Sequence, residues 1–302
     1  MKLITTDLLR RRIGDLGALP VMPSVLQSLT ECLSSSAENV NIDRVVELIS
    51  YDKSLASQVL RMANSALFRR RNEVESLRDG ILSLGIWRIR DLVYSCTLPA
   101  LLGNSKEGIA PTIFWRHALG TALVSQHLAQ RLAIPNVEKF YLAGLLHDLG
   151  ILVNSILFPE QFPAVLKLAE TTETPLYDVE MQELGFSHCE SGRILAGHWK
   201  LPEDISGTIE FHHHPPLAAS HTDLTCTVYL ADLLCRLRGL GYGYYEAREF
   251  DLAAEPSWQV LQKKYPAAAA LDLALFTFEL DEHAIQVRDL VDTIFSGAPV
   301  SH

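Results

Sequence analysis

The 302-residue sequence has little of several features that mark particular protein classes. Its five cysteines are scattered without Cys-x-x-Cys spacing, which is typical of reduced thiols, so we expect a cytoplasmic protein. The N-terminus lacks the continuous apolar stretch of a signal peptide. No apolar run approaches the ~20 residues that a membrane-spanning helix needs, so we expect no membrane association.

Positive charge is also scarce. The chain has 26 basic and 36 acidic residues, which gives a formal net charge of −10. Broad nucleic-acid binding relies on basic side chains that release phosphate counterions, so this balance disfavours a nucleic-acid partner. The two short basic clusters, at 10–12 and 69–71, are typical of a solvated face or loop.

Strand signals are almost absent, whereas apolar residues recur at three- and four-residue steps along most of the chain. Residues 42–68, 77–102 and 114–134 therefore predict helices, with breaks near Tyr51 and at Gly85. Further helices are predicted over 138–149, 159–171, 186–199 and 222–241. The sequence predicts an all-α fold, with an N-terminal helical bundle packed on a second helical domain.

The segment 102–112 combines Gly, Asn, Ser and Pro, and this loop composition predicts the boundary between the two parts. We expect an N-terminal helical part over 1–105, a second helical part over 106–240 and a helical extension over 241–302. Two local contacts are also predicted. Ser187 and Glu190 have the spacing of a capping box, and Asn64 should hydrogen-bond backbone groups as a cap rather than face a ligand.

Polar residues interrupt the apolar helices at a few positions. His147 and Asp148 end an apolar stretch, and Asp232 lies within "VYLADLLC". Because burying an unpaired carboxylate costs several kcal/mol, these groups need a partner or a bound ion. Imidazoles with a few carboxylates suit cations such as Fe, Mn, Zn or Co. The grouped candidate positions are His117, His147, Asp148, His188, His212, His213 and Asp232.

Two other interpretations bear on the histidines. The grouped residues could form a structural polar network without metal, and this alternative stays open at the level of sequence. The remaining histidines are interpreted as surface residues or as satisfied core residues, because a lone histidine on a helix is usually one or the other and His214 precedes Pro215-Pro216 in a predicted loop. They are His127, His198, His214, His221, His283 and His302.

The order of the grouped residues resembles the HD superfamily of metal-dependent phosphohydrolases. Three phrases, "GLLHDLG" (144–150), "ELGFSHCESGRILAGHWKLPEDI" (183–205) and "IEFHHHP" (209–215), are similar to one branch, the HDOD domain family. N-terminal segments at 19–29, 45–68 and 80–93 are similar to it as well. The resemblance spans about residues 15–240, and it implies that the second helical part is an HD-like domain.

The resemblance also implies a site. It assigns two divalent or mixed-valence metal ions, Fe or Mn, to His117, His147, Asp148, His188, His212 and Asp232. Asp148 would bridge the two ions. His213 matches a residue that contacts ligand or metal in some relatives.

Departures from the family pattern disfavour catalysis. Ile151 stands where active relatives often carry a lysine that faces the substrate phosphate, and Ile113 stands where some trinuclear relatives carry a glutamate. The Gly-Tyr-Pro element of cyclic-di-GMP phosphodiesterases is absent, and "GYGYY" at 241–245 is interpreted as a turn. Arg116 and Arg193, the nearest cations by sequence, are predicted to face away from the site.

Three functions are therefore compared. The favoured one is an HDOD-type signal-transduction protein with a retained dinuclear site and weak or no hydrolase activity. It would sense a metal, an oxidant or a phosphate-bearing ligand such as a nucleotide and relay the signal to a partner. The partner is expected to be a separate chain, because no receiver, cyclase or transmembrane region is present. The alternative is a metal-dependent phosphohydrolase or phosphodiesterase that acts on a nucleotide or phosphate ester. The weakest is an iron-dependent oxygenase.

Overall fold

A computed structural model of the chain describes residues 11, 22–33, 40–65, 67–68, 73–102, 109–218, 220–242 and 251–295. Within these ranges every regular element is helical, and the predicted all-α class is confirmed. Four sets of residues with sequence-based interpretations lie outside the described part: Arg10 with Arg12, 69–71, 103–108 and 243–245.

Two compact units are distinguished by Cα proximity. Described residues within 105–284 form one unit, and those within 21–104 and 285–302 form the other. The three-part division into 1–105, 106–240 and 241–302 stays a prediction.

The N-terminal unit is a set of short helices. They are α1 (Ser24–Leu33), α2 (Ile42–Ser50), α3 (Lys53–Ala63), α4 (Leu77–Leu84) and α5 (Ile86–Leu102). Both predicted breaks are confirmed. Asp52 ends the first break by accepting hydrogen bonds from the backbone amides of Ser54 and Leu55, and Gly85 has a positive φ of 90° between α4 and α5.

Asn64 has the capping role predicted for it. Its Nδ2 donates to the carbonyl oxygens of Leu60, at 3.1 Å, and Val74, at 2.9 Å. Its Oδ1 accepts from the amide of Val74 at 2.8 Å. All three partners are backbone groups. The side chain thus closes the C-terminal end of α3 and ties it to the segment before α4.

The larger unit contains the remaining helices, the last of them as far as residue 284. They are α6 (Pro111–Arg131), α7 (Glu138–Leu146), α8 (Leu149–Leu157), α9 (Phe162–Thr172), α10 (Leu176–Glu183), α11 (His188–His198), α12 (Glu203–Phe211), α13 (Thr222–Leu237), α14 (Pro256–Lys264), α15 (Pro266–Ala269) and α16 (Leu273–Phe295). A 3-10 turn lies at Pro215–Leu217. Helix α6 packs against α7 and α13, and α8 packs against α11.

The apolar stretch Glu138–Leu157 corrects two expectations. The sequence predicts one helix over 138–149, but α7 ends at Leu146 and α8 begins at Leu149. It also has the length, 20 residues, and the apolar composition of a membrane span, contrary to the expectation that no run would qualify. The protein itself covers this apolar surface, because 94% of an 18-residue segment within the stretch is buried. The stretch is therefore a pair of core helices that break at His147 and Asp148.

Two glycines allow close packing around this break. A Cβ on Gly150 would lie 1.8 Å from the carbonyl oxygen of His188, and one on Gly144 would lie 2.7 Å from that of Thr121. Both distances are shorter than van der Waals contact, so a side chain at either position would displace backbone. Gly150 thus sets the spacing of α8 and α11, and Gly144 sets the spacing of α7 and α6.

Candidate metal centre

The six residues predicted as metal ligands converge although they lie on separate elements. His117 is on α6, His188 begins α11, and Asp232 is on α13. His147 and Asp148 form the α7–α8 break, and His212 directly follows α12. Each of these residues is at most 1% exposed. The tertiary fold therefore places four imidazoles and two carboxylates in one buried cluster.

Asp148 is at the middle of this cluster, with different neighbours for its two oxygens. Oδ2 lies 3.1 Å from Nε2 of His147 and 3.7 Å from Nε2 of His117. Oδ1 lies 3.1 Å from Nε2 of His212 and 3.3 Å from Nε2 of His188. Burial opposes ionisation, but the neighbouring imidazoles, when they carry a proton on the nitrogen that faces Asp148, hold its pKa well below the usual value. An ionised carboxylate with this geometry can bridge two cations.

Asp232 joins the half of the cluster that contains His117. Its Oδ1 lies 2.9 Å from Nε2 of His117 and 3.9 Å from Nε2 of His147. Arg236, one helical turn further along α13, donates from Nε to Oδ1 at 2.7 Å and pairs through Nη2 with Oδ2 at 2.7 Å. Burial alone would raise the pKa of Asp232, but the Arg236 guanidinium and His117 lower it.

Three of the histidines share one outer contact, in which Nδ1 donates to a backbone carbonyl. The pairs are His117 with Leu240 (3.0 Å), His147 with Gly144 (2.7 Å) and His212 with Ile209 (2.9 Å). A carbonyl oxygen only accepts, so each Nδ1 carries a hydrogen. In the neutral imidazole, Nε2 then presents its lone pair to the cluster.

The donor atoms fit a metal ion. Nε2 of His117, His147 and His212 and Oδ1 of Asp148 are buried without a hydrogen-bond partner in the described part of the chain. Burial lowers the pKa of His147 and so favours a neutral imidazole, whose lone pair faces a carboxylate oxygen of Asp148. Two acceptors 3.1 Å apart repel each other, and a cation between them would remove the repulsion.

Glu180 was not identified from the sequence. Its Oε2 accepts from the Nδ1 of His188 at 2.6 Å and from the amide of His188 at 2.8 Å. Burial lowers the pKa of His188, but the carboxylate raises it well above the usual value. A sequence signal was present, because Glu180 takes a position in the apolar stripe of Leu176, Val179 and Leu184.

Two further side chains hold Glu180 in place. Asn154 donates to Oε1 of Glu180 at 2.9 Å and accepts from the Ser191 hydroxyl at 2.6 Å. The predicted capping box of Ser187 and Glu190 is confirmed and fixes the start of α11. His188 is thus oriented by a carboxylate that is itself hydrogen-bonded, as metal-ligating histidines commonly are.

Tyr242 corrects the interpretation of 241–245 as only a turn. Its hydroxyl donates to Oδ2 of Asp148 at 2.8 Å. Its ring lies 4.4 Å from the ring of His117 and is stacked at 5.8 Å on that of Phe114. No apolar period or motif marks this contact in the sequence, because it joins residues 94 positions apart.

His213 lies at the outer edge of the cluster. Its Nε2 is 3.0 Å from Nε2 of His188, and its half-buried ring faces Tyr177 at 5.4 Å. Burial and the nearby imidazoles of His212 and His188 lower the pKa of His213. Cys189, the residue after His188, also lies close to the cluster. Its buried Sγ is 3.8 Å from Nδ1 of His212.

The remaining positions singled out in the sequence lie as follows. Ile151 is fully buried. Arg193 pairs with Glu203 at 3.0 Å and with Glu210 at 3.3 Å, so its charge is directed to carboxylates outside the cluster. Among the described residues, Arg236 contacts the cluster through Asp232, and the sequence did not predict this contact. The separate histidines include His127, paired with Glu279, and exposed His198; His302 lies outside the described residues.

The amino-acid sequence is similar to a protein family and to known proteins. A model of the HDOD domain family matches residues 19–215. The chain is 28% identical over 229 residues to an uncharacterised protein of Treponema pallidum (strain Nichols), which covers 74% of this chain and 43% of that protein. It is 29% identical over 110 residues to YuxH of Bacillus subtilis (strain 168), covering 36% and 26%, respectively. The chain thus spans less than half the length of these relatives.

Solved structures share the fold. An HDOD domain protein of unknown function from Geobacter sulfurreducens has a TM-score of 0.82 at 29% identity, with coverage of 95% of this chain and 97% of that chain. A proposed phosphohydrolase from Shewanella amazonensis SB2B has a TM-score of 0.72 at 22% identity, with 94% and 97% coverage. A proposed signal transduction protein from Marinobacter aquaeolei VT8 has a TM-score of 0.73 at 22% identity, with 97% and 62% coverage.

Proposed function

The chain belongs to the HDOD domain family, and from that premise we propose that it is a signal-transduction protein with a dinuclear metal centre and weak or no hydrolase activity. The observation that carries this proposal is the buried ring of donor atoms around Asp148, several of which have no hydrogen-bond partner in the described part of the chain. Such a ring favours the binding of ions, because its donor atoms need partners. It leaves little room for a substrate, because the protein covers the donor atoms almost completely.

The proposed ions are iron or manganese, which imidazole and carboxylate donors suit. One ion would be held by His117, His147, Asp232 and Oδ2 of Asp148. The other would be held by His188, His212 and Oδ1 of Asp148, with His213 at the outer side. When bound, such ions supply Lewis acidity and lower the pKa of a coordinated water. The chain itself contributes fixed tautomers, an ionised bridging carboxylate and the exclusion of bulk water.

The charges around the cluster support regulation over hydrolysis. Phosphoryl transfer needs positive groups aimed at the transferring phosphate. Both oxygens of Asp232 already engage Arg236, and Arg193 is held by two glutamates. The position where active relatives carry lysine is Ile151, whose aliphatic side chain is buried. Because these side chains are engaged or uncharged, a substrate phosphate would have to be held by the bound ions themselves.

The partner and location are also proposed. We infer a separate signalling protein as the partner, and phosphate or a nucleotide as the ligand of any open metal position. A cytoplasmic location is supported by the four cysteines whose side chains are described, because all are free thiols. The net charge of −10 supports a function that involves neither nucleic acid nor a membrane surface.

A metal-dependent phosphohydrolase is the second candidate. The fold shared with the Shewanella amazonensis protein and the two-sided geometry of Asp148 support it. In this alternative His117, His147, Asp148, His188, His212 and Asp232 would hold the ions, which would supply the Lewis acidity that hydrolysis of a nucleotide or phosphate ester needs. Both candidate functions require the same metal centre, but only the phosphohydrolase would hydrolyse a substrate at an appreciable rate.

Metal analysis tests the shared centre. We expect two ions per chain in protein purified without added metal, and none or one in Asp148→Ala, because both halves of the cluster lose the bridging carboxylate. His198→Ala is the matched control, since His198 is an exposed histidine on α11. Elemental analysis of the folded proteins measures the outcome. An unchanged metal content in Asp148→Ala would contradict the proposed centre.

A further inference from the structure

The two sides of the Asp148 carboxylate have different charged groups around them. The donor atoms of the cluster divide according to the oxygen of Asp148 that they face. The inner half is formed by His117, His147, Asp232 and Oδ2 of Asp148, and the outer half by His188, His212 and Oδ1 of Asp148. An ion in each half would respond to the charges that lie just behind its ligands.

Hydrogen-bond donors of the protein already engage the carboxylates of the inner half. The Arg236 guanidinium contacts both oxygens of Asp232, with Nε 2.7 Å from Oδ1 and Nη2 2.7 Å from Oδ2. The Tyr242 hydroxyl donates to Oδ2 of Asp148 at 2.8 Å. Asp232 and Arg236 together carry no net charge. The guanidinium therefore offsets much of the attraction that the Asp232 carboxylate would exert on an inner ion.

A carboxylate with no basic side chain of its own lies behind the outer half. Glu180 is wholly buried and, within the part of the chain that the structure describes, forms no ion pair with a lysine or arginine. Its oxygens accept from Nδ2 of Asn154 at 2.9 Å and from Nδ1 of His188 at 2.6 Å. A divalent ion carries twice the charge of the proton that it would displace from Nε2 of His188. The charge of Glu180 therefore favours the ion over the proton.

We propose that the two halves bind metal with unequal affinity, the outer half more tightly, and that Arg236 is a positioning residue that keeps the inner ion exchangeable. The inference rests on the proposed dinuclear centre and specifies its regulation. When metal is withdrawn, the inner ion leaves first and the chain passes through a form with one ion. Metal supply is then the input that this signal-transduction protein senses.

Titration of the wild type with Mn(II) tests the two affinities without dependence on the folding of a variant. Metal-free full-length protein should bind two ions in equilibrium dialysis, with dissociation constants at least about 10-fold apart, the scale on which contacts to metal ligands act. Electron paramagnetic resonance should show isolated Mn(II) at the first equivalent and an exchange-coupled pair at the second. Two ions of equal affinity, or coupled pairs from the first equivalent, would overturn the inference.

Charge variants test the role of Arg236. Arg236→Gln keeps a hydrogen-bond donor beside Asp232 but removes the charge, so the weaker site should tighten about 10-fold or more while the tighter site is unchanged. Arg236→Lys keeps the charge and should remain close to the wild type. The control is Arg238→Gln, which removes an arginine that pairs with Asp281 at 2.7 Å and should alter neither affinity. A weaker site that does not tighten in Arg236→Gln would contradict the role of Arg236.

Removal of one ligand identifies which half is weaker. His117→Ala lacks an inner donor, so it should lose the weaker site and keep one tightly bound Mn(II). Loss of the tighter site instead would reverse the order of the halves and refute the inference. Failure of the centre itself is a different result. Wild-type protein that binds no Mn(II), or one ion at saturation, contradicts the dinuclear centre as well, whereas two ions of equal affinity contradict only the inference.

Discussion

Three carbonyl oxygens, those of Gly144, Ile209 and Leu240, determine which nitrogen the histidines beside them turn toward Asp148. The carboxylate of Glu180 has the same effect on His188. A buried imidazole without such a contact could adopt either tautomer. At the scale of residues, the donor set is therefore fixed by groups that would not touch the ions.

Glu180→Gln tests this orientation. The amide has the size of the carboxylate but lacks its charge, so His188 should be held less firmly and be a weaker donor. We expect metal affinity to fall about 10- to 100-fold, as for other partners of metal-bound histidines. Competition with a chromophoric chelator measures the affinity. Glu170→Gln, at an exposed position of α9, should retain wild-type affinity; an equal loss there would remove the argument for Glu180.

Tyr242→Phe tests the hydroxyl that contacts Asp148. Removing a hydrogen bond to a buried carboxylate should lower the free energy of unfolding of the metal-free protein by about 1.5–3 kcal/mol. The stacked ring would remain, so the core should stay packed. Urea unfolding measures the change. In Tyr51→Phe the lost hydroxyl is on a side chain that is 75% exposed, so a change of at most about 0.5 kcal/mol is expected.

Helix spacing decides how far apart the side chains of the cluster lie. The chain must break between α7 and α8 for His147 and Asp148 to face α6, α11 and α13 together. Gly150 lets α8 approach the first turn of α11, where His188 begins the helix. At the scale of elements, the glycine in "GLLHDLG" therefore has a packing role beside the two polar residues.

Gly150→Ala tests this packing. The added methyl group would overlap the carbonyl of His188, so α8 and α11 must separate. We expect a loss of about 1–3 kcal/mol or more in stability, together with a reduced metal content. Thermal unfolding and elemental analysis measure the two effects. Gly197→Ala is the control on α11, because its Cβ would meet nothing within 4 Å, and the helix should become slightly more stable. Similar behaviour of the two variants would refute the close-packing explanation.

The distribution of charge governs access for substrates at the scale of the whole molecule. The net charge is −10, and both Arg236 and Arg193 are engaged by carboxylates. An acidic protein does not draw anionic nucleotides toward a buried site.

Hydrolysis assays test the proposed lack of turnover. Metal-loaded protein should hydrolyse nucleotides, cyclic dinucleotides and simple phosphate esters weakly or not at all, because no positive side chain stands at position 151 to hold the phosphate. Robust turnover of any ester, abolished by His147→Ala, would instead support the phosphohydrolase.

A companion variant identifies the missing group. If the absent cation is the defect, Ile151→Lys should raise a trace activity, whereas Ile151→Met should not. Because Ile151 is buried, circular dichroism must first show that the lysine variant is folded. A folded lysine variant without added activity would mean that the pocket differs from active relatives in more than this side chain.

The sequence by itself determined the helical class, the capping roles of Asn64 and Ser187, and the identity of the residues in the cluster. These depend on local periodicity, on side-chain chemistry within a few residues, and on motif order. It did not predict the break at His147 and Asp148, because an apolar run of this length predicts one continuous helix. Nor did it identify Glu180, Arg236, Cys189 or Tyr242 as neighbours of the centre.

Only the tertiary structure decided those contacts, for a physical reason. Tyr242 and Asp148 are 94 positions apart, and Leu240 and His117 are 123 apart. Contacts between residues so far apart produce no periodic pattern in the sequence. Each side chain forms its hydrogen bond with whatever polar group the packing brings near it. The order of the histidines and aspartates predicted which residues meet; the packing of α8 on α11 and of α6 on α13 decided which atoms face one another.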